Sequence, residues 1–235
     1  AIVVDDSASM RTRLPSGKTR FQRAVEGAHE LLVSARDGDA VALIQAGKPA
    51  RLSLAAGTDL QAAGRAIDEL KPTDRATDLS AALALARAAL SSLPHKDKRV
   101  VLLSDLAGEL GAEPAPDVWA ALPELATPSD DCAVLHAERD GQRVTAAVAC
   151  SSEAAARGRS LKLSSKEGQT KAEARLVVQR GEQSLSLELK GATQGFVELV
   201  GQDQNPDDDR AEIAPESRGL SVAVLADPER EAVAT

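Results

Sequence analysis

Asp5, Asp6, Ser7 and Ser9 stand directly behind the apolar run Ala1-Ile2-Val3-Val4, so two carboxylates and two hydroxyls fall within five residues of a strand end. Such a cluster of oxygens suits one of two chemistries, the holding of a hard cation or the receipt of a phosphoryl group. Four apolar residues without polar alternation predict a strand covered on both faces, as in a parallel sheet. Sheets of that kind bind their ligands at the carboxyl ends of the strands. The candidate chemistry therefore lies at the end of the first strand.

Asp5, Ser7 and Ser9 match the Asp-x-Ser-x-Ser motif, and the segment resembles the metal-ion-dependent adhesion site of the von Willebrand factor type A domain. That family also carries a Thr on a second loop ahead of a helix and an Asp at the end of a later buried strand. Arg75-Ala76-Thr77-Asp78-Leu79 supplies Thr77, and Val100-Val101-Leu102-Leu103-Ser104-Asp105 supplies Asp105. The resemblance covers about the first half of the chain. Where the family commonly has Gly-Gly before the Thr and Gly after the last Asp, this chain has Arg75-Ala76 and Leu106. The resemblance implies a Mg²⁺ or Mn²⁺ ion, with the hydroxyls of Ser7, Ser9 and Thr77 as ligands. Asp5 and Asp105 would add negative charge, directly or through water. Small hard cations want near-octahedral oxygen coordination with few direct carboxylates, which that set provides. In the family an acidic side chain of a partner protein completes the shell, so the implied activity is binding rather than hydrolysis. Read one by one, the same residues have a plainer use. Ser7 and Ser9 would cap a helix, and Asp5 would satisfy loop amides.

Two enzyme-like alternatives share the opening strand. The pair Asp5-Asp6 is similar to the acidic pair of response-regulator receivers, which take a phosphoryl group on an Asp followed in the chain by a hydroxyl residue and then Lys-Pro. Here Arg51 to Leu60 holds no apolar run ending in Asp, and Lys71-Pro72 precedes Asp105. A metal-dependent phosphohydrolase of the haloacid dehalogenase type would place a second Asp where Ser7 stands, and without it the leaving group lacks its general acid. Ser16-Gly17-Lys18-Thr19 imitates the end of a phosphate-binding loop, but the leading Gly of that motif falls at Thr12. His29, His95 and His136 have no zinc spacing, and no Gly-x-Ser-x-Gly elbow occurs.

Composition narrows the partners. A net charge of −8 and an aromatic content of 1% argue against phosphate-backbone binding and base stacking, so no nucleic acid is expected. With Phe21, Phe196 and Trp119 the only aromatics, the core must be aliphatic and Ala-rich. No apolar run approaches the length of a transmembrane helix, and no signal peptide is visible. Because Ala1 falls inside a strand, the chain is expected to be a segment of a longer protein.

The elements that must position these residues alternate through the first half. Thr19 to Ala35 carries a helical apolar stripe, Ala40 to Ala46 a buried strand and Ala50 to Leu54 a short edge strand. Helices follow at Asp59 to Leu70 and Leu79 to Leu93, stopped by Pro72 and Pro94, and Val100 to Ser104 is the next strand. This order predicts an α/β fold over residues 1–130, a doubly wound, mostly parallel sheet of the VWA or Rossmann-like kind. Gly108 to Pro116 reads as a loop, and a short helix is expected around Asp117 to Leu125.

Only strands are expected after that, forming a small β-sandwich over residues 131–215. They are Ala133 to Glu138 and Arg143 to Ala149 around a turn at Asp140-Gly141, then Leu161 to Leu163, Ala172 to Gln179, Ser184 to Leu189 and Phe196 to Val200. Asp203 to Arg210 reads as an exposed acidic loop, with Asp207, Asp208 and Asp209 as solvated charge or as weak holders of a cation. Residues 216–235 read as a last strand or as the start of a further, truncated domain, the second being favoured by the apolar run into Asp227-Pro228.

Cys132 and Cys150 sit near the open ends of the predicted hairpin, where one bulge would bring the sulfurs into register. They read either as a disulfide, which would place this half outside the cytoplasm, or as two small buried hydrophobes. The whole layout resembles bacterial aerotolerance-type proteins, in which membrane helices precede the A domain. That resemblance implies a membrane-anchored parent with an extracytoplasmic domain, and partners that include a MoxR-type AAA+ ATPase.

Overall fold

The computed structural model describes residues 1–106, 117–188, 194–201 and 203–213. Its first half runs β1 (Ile2–Val4), a 3-10 turn (Ala8–Arg11), α1 (Arg20–Val33), β2 (Val41–Gln45), β3 (Arg51–Gly57), α2 (Leu60–Asp68), α3 (Leu79–Ser91), β4 (Val100–Leu103) and β5 (Val118–Ala120). The five strands form one sheet in the order β3-β2-β1-β4-β5, parallel throughout except for the edge strand β3, which runs antiparallel to β2.

Successive strand residues face opposite sides of a sheet, and that period divides the core in two. Ile2, Val4, Leu43, Val101 and Leu103 point to one face, where Phe21, Ala24 and Ala28 of α1 and Ile67 of α2 cover them. Val3, Ala42, Ile44, Val100 and Leu102 point to the other, covered by Leu79, Ala82, Ala86 and Leu90 of α3. Each large aliphatic side chain so buried contributes about 1.5–3 kcal/mol, which compensates for the near absence of aromatics. The helices begin where their caps dictate. Thr19 and Gln22 form a reciprocal capping box on α1, while the Asp59 and Asp78 side chains accept from the main-chain amides of Ala62 and Ala81.

One expectation fails in this half. The segment placed in a helix around Asp117 to Leu125 is instead the edge strand β5, followed by a 3-10 turn at Pro123–Ala126. Val118, Trp119 and Ala120 pair in parallel with Val100, Val101 and Leu102, and Pro123 lacks the amide an interior helical position would need.

The second half comprises β6 (Cys132–Asp140), β7 (Arg143–Cys150), the one-turn α4 (Glu153–Ala156), β8 (Ser160–Ser165), β9 (Thr170–Arg175), β10 (Gly181–Glu188), β11 (Gly195–Val200) and β12 (Arg210–Glu212). Two antiparallel sheets, β10-β7-β6 and β12-β11-β8-β9, face each other across one apolar core. Val134, Val144, Val148, Leu185 and Leu187 come from the first sheet, and Leu161, Leu163, Val197 and Leu199 from the second. The region expected to hold only strands thus forms two antiparallel sheets, with four corrections to the expected elements.

The hairpin turn is Gly141–Gln142, not Asp140-Gly141, since Asp140 pairs with Arg143. Gly141 takes φ +60° at the first central position and Gln142 does not have positive φ, the pattern of a type II′ turn, which has Gly at that first position. A bulge at Leu135 then shifts the register, so that Cys132 pairs with Cys150 and the two form a disulfide. Next, α4 was not expected among the strands; Ser152 caps it by accepting from the Ala155 amide. Third, β9 stops at Arg175, because the Gln183 side chain takes over both main-chain groups of Val177. Last, Asp203 to Arg210 is an exposed loop only in part: Pro206 and Asp207 are exposed, but Asn205 is 3% exposed and Asp209 8%, and Arg210 already belongs to β12. The expected loop at Gly108 to Pro116, the end of the predicted strand at Leu189 and the whole of 216–235 lie outside the described residues.

Candidate metal centre

Three loops converge at the carboxyl ends of β1 and β4. Asp5 leaves β1 fully buried, and its main-chain amide donates to Leu103 O at 2.9 Å. Its Oδ1 accepts from the Ser7 amide at 3.0 Å, and its Oδ2 from Ser104 Oγ at 2.6 Å. Thr77 Oγ1 lies 3.3 Å from both carboxylate oxygens of Asp5, and the Ser7 and Ser9 hydroxyls stand 3.2 Å apart. Burial is the largest influence on the Asp5 carboxyl and pushes its pKa up. The hydrogen bonds from Ser104 and Ser7 oppose the rise, and the Asp105 charge adds to it. All five sequence-predicted residues therefore belong to one neighbourhood. Four are tied through hydroxyl contacts, and Asp105 is close enough to act on Asp5 by charge.

Backbone bonds hold the Thr77 loop between its neighbours. Asp6 O accepts from the Thr73 amide at 2.6 Å, Arg75 O from the Ala8 amide at 3.0 Å, and Ala76 O from the Lys48 amide at 2.7 Å. The Asp78 amide donates to Ala46 O at 2.7 Å, and Thr77 forms an isolated bridge with Gly47. Asp78 then caps α3, which fixes Thr77 one residue ahead of the helix.

Residues outside the motif complete the frame. Asp6, fully buried, is not a free position within it. Its carboxylate accepts from the Gly47 amide at 2.6 Å, Gln45 Nε2 at 3.2 Å and Arg51 Nη2 at 3.1 Å, clamping the β1 loop to the end of β2. A Cβ on Gly47 would stand 2.7 Å from Asp6 Oδ1, so the approach depends on glycine. Arg20, the first residue of α1, is buried against Asp105, with Nη1 at 2.9 Å from Oδ2 and Nη2 donating to Thr127 O at 2.7 Å. Leu106 has φ +59° directly after Asp105, the left-handed region that a leucine occupies only under strain. It stands where the resembled family has glycine, so the chain keeps the conformation without the residue that favours it.

Ser104 was legible as a hydroxyl beside Asp105 at a strand end. Arg20 had no local signal, because its partner lies 85 residues along the chain.

The donor set is two carboxylates and three hydroxyls, all oxygen, which fits a small hard cation and does not fit one that prefers nitrogen or sulfur ligands. Ser7, Ser9 and Thr77 are the neutral donors, and Asp5 the nearest charge. Among the described residues, no three acidic, imidazole or thiol side chains gather at ligand distance, so any ion held here depends on the hydroxyls. Arg20 already offsets part of the charge of Asp105.

Residues 1–109 match the family model for the von Willebrand factor type A domain. Among solved structures, the conserved hypothetical protein BatB from Bacteroides thetaiotaomicron is 19% identical with a TM-score of 0.41, the match covering 44% of this chain and 51% of that one. An aerotolerance-related membrane protein from Bacteroides fragilis is 23% identical with a TM-score of 0.41, covering 47% and 55%. A membrane-spanning protein from Vibrio fischeri is 21% identical with a TM-score of 0.36, covering 48% and 59%. The match thus spans roughly half the length of each of these structures. No curated protein matches the chain. Among the described residues no helix is long and apolar enough to cross a membrane. With the alternating strands and helices, the loops at the ends of β1 and β4 and the family model all agreeing over the same stretch, residues 1–109 adopt the fold of the von Willebrand factor type A domain and are similar to that family, whose domains typically serve protein interaction.

Proposed function

We propose that this chain is a divalent-metal-dependent protein-binding module. Mg²⁺, or Mn²⁺ in its place, is held by Ser7, Ser9, Thr77, Asp5 and Asp105, and a carboxylate of a partner protein completes the shell. The observation that carries this reading is the placing of Thr77 Oγ1 at 3.3 Å from both oxygens of Asp5, beside the Ser7 and Ser9 pair. Residues more than 70 positions apart supply hydroxyls to one buried carboxylate, which capping alone does not require. Bound there, the ion would present an electrophilic face to an acidic side chain; the protein's own task is to orient the hydroxyls and keep Asp5 dry.

The resemblance to aerotolerance-type proteins extends the proposal to a membrane-anchored parent and to a MoxR-type AAA+ ATPase among its partners. The Cys132–Cys150 disulfide supports a location outside the cytoplasm, where such bonds persist.

Calorimetric titration with Mg²⁺ tests the centre. One ion per chain is expected in the wild type and none in Asp5→Ala or Ser7→Ala, with no turnover of a generic phosphoester. Equal Mg²⁺ binding in wild type and Asp5→Ala would falsify the assignment. Phosphoester turnover that depends on Asp5 would replace the binding module with an enzyme.

A further inference from the structure

A second acidic cluster lies where β6 begins and where the chain passes between β11 and β12. Arg159, whose side chain is 6% exposed, donates through Nη1 to Asp203 Oδ2 at 2.6 Å and through Nη2 to Asp209 Oδ1. Asp131 and Asp208 feel each other and both of these residues by charge, so four carboxylates share a corner in which the guanidinium pairs with two. Burial, followed by repulsion from neighbouring aspartates, pushes Asp131 up to about 8 and Asp208 up to about 7.

Three oxygens in this cluster are shielded from solvent and accept no hydrogen bond: Asp131 Oδ1, Asn205 Oδ1 and Asp208 Oδ1. Asn205 is 3% exposed and sits inside the cluster. Its main-chain amide donates to Asp203 Oδ1 at 3.1 Å and its Nδ2 to Asp208 Oδ2 at 2.5 Å, which leaves its carbonyl oxygen without a donor. Buried acceptors normally find partners, and three orphans beside surplus negative charge are the arrangement a hard cation answers.

We infer that Asp131, Asn205 and Asp208 form a second divalent-cation site, of the Ca²⁺ class, at the junction between the α/β half and the two-sheet half. Calcium accepts amide and main-chain carbonyls beside carboxylates and tolerates irregular shells of six to eight oxygens, whereas Mg²⁺ demands a near-octahedron. Asp203-x-Asn205-x-Asp207 also has the spacing that opens calcium-binding loops. It departs from them where Asp208 replaces the sixth-position glycine, and Asp207 turns away to Arg11 at 3.3 Å. Two carboxylates and an amide carbonyl make up the site, in keeping with the lack of any three-acid group at ligand distance among the described residues.

The same loop touches the first centre. The Arg13 amide donates to Gln204 O at 2.7 Å, and Arg11 ends the 3-10 turn that contains Ser9. On the other side, the Cys132 amide donates to Asp203 Oδ2 at 3.2 Å. An ion at the junction would therefore fix the two halves relative to the Asp-x-Ser-x-Ser loop.

The test is calorimetric titration of the chelator-treated chain with Ca²⁺, run once with saturating Mg²⁺ and once in Ser9→Ala, so that the first centre cannot report. One Ca²⁺ per chain is expected in both, with at least a tenfold loss of affinity in Asn205→Leu and in Asp208→Asn. Asn205→Asp, which keeps the main-chain bond to Asp203, exchanges the Nδ2 donor to Asp208 for an oxygen and adds a charge, should bind more tightly than wild type. Absence of Ca²⁺ binding in wild type, or equal affinity in Asn205→Leu or Asn205→Asp and wild type, overturns the site. Should Asn205→Leu or Asp208→Asn fail to fold by circular dichroism, the comparison of Asn205→Asp with wild type alone decides it.

Discussion

The two acidic clusters are built on the same plan and end in different states of balance. Each surrounds one buried arginine, Arg20 beside Asp105 in the first and Arg159 beside Asp203 and Asp209 in the second. At the strand ends, neutral donors do most of the remaining work, since the Ser7 amide and the Ser104 and Thr77 hydroxyls surround Asp5. At the junction there are twice as many carboxylates, and Asp131 and Asp208 each keep an oxygen that nothing meets. Neutral dipoles can hold a carboxylate ready without cancelling its charge. A crowd of carboxylates with one guanidinium must instead take up protons or a cation.

Removing the arginines tests that contrast most severely. Arg159→Met should cost about 3–5 kcal/mol in urea unfolding, because it strands two buried carboxylates at once. Arg20→Met should fall at the lower end of that range, about 3 kcal/mol, and should recover on adding Mg²⁺. A greater loss in Arg20→Met than in Arg159→Met would break the comparison. Next in size is Gly47→Ala, where the new methyl meets Asp6 Oδ1. An overpacking cost of about 1–3 kcal/mol is expected, together with weaker Mg²⁺ binding as the clamp on the β1 loop loosens.

A pH series sharpens the difference further. Asp131 and Asp208 bind protons more tightly in the folded chain than in the unfolded one, where an ordinary Asp titrates at 3.8. Their contribution to stability is therefore complete below about 4 and is lost as the pH rises toward about 7 to 8, the reverse of the usual ion-paired carboxylate. Without divalent cations, Asp131→Asn should gain in melting temperature on wild type as the pH climbs through that window. A constant difference between the two proteins would contradict it. The smallest effect is expected for Ser9→Ala, which should change stability by less than about 0.5 kcal/mol yet abolish the Mg²⁺-dependent rise in melting temperature.

What the sequence made legible was local or motif-borne. Asp5, Ser7 and Ser9 lie in one short loop, Thr77 precedes a helix whose Asp78 cap is written beside it, and Asp105 ends an unbroken apolar strand. Apart from β5 and β12, the strands of both halves followed from apolar runs and alternation. The turn at Gly141–Gln142, α4 and the end of β9 were missed on local detail, but the larger failures have another cause, a partner distant in the chain. Val118 to Ala120 became a strand because Val100 to Leu102 offered an edge. The acidic stretch from Asp203 looked solvated, but Arg159, 44 and 50 residues away from its two partners, draws it inside. Nothing local to Arg20 marks it as the companion of Asp105.

The lattice of main-chain bonds around Thr77 separates two jobs that share one rim. Arg75 and Ala76 hold the loop through main-chain groups, their carbonyls and the Arg75 amide that donates to Thr73 Oγ1, and both residues are exposed. Their side chains can be exchanged without disturbing the placement of Thr77. On the proposed reading of this rim, the surface beside the oxygen cluster is free to vary at those positions while Ser7, Ser9 and Thr77 stay fixed, so the selectivity of a binding face would vary independently of its chemistry.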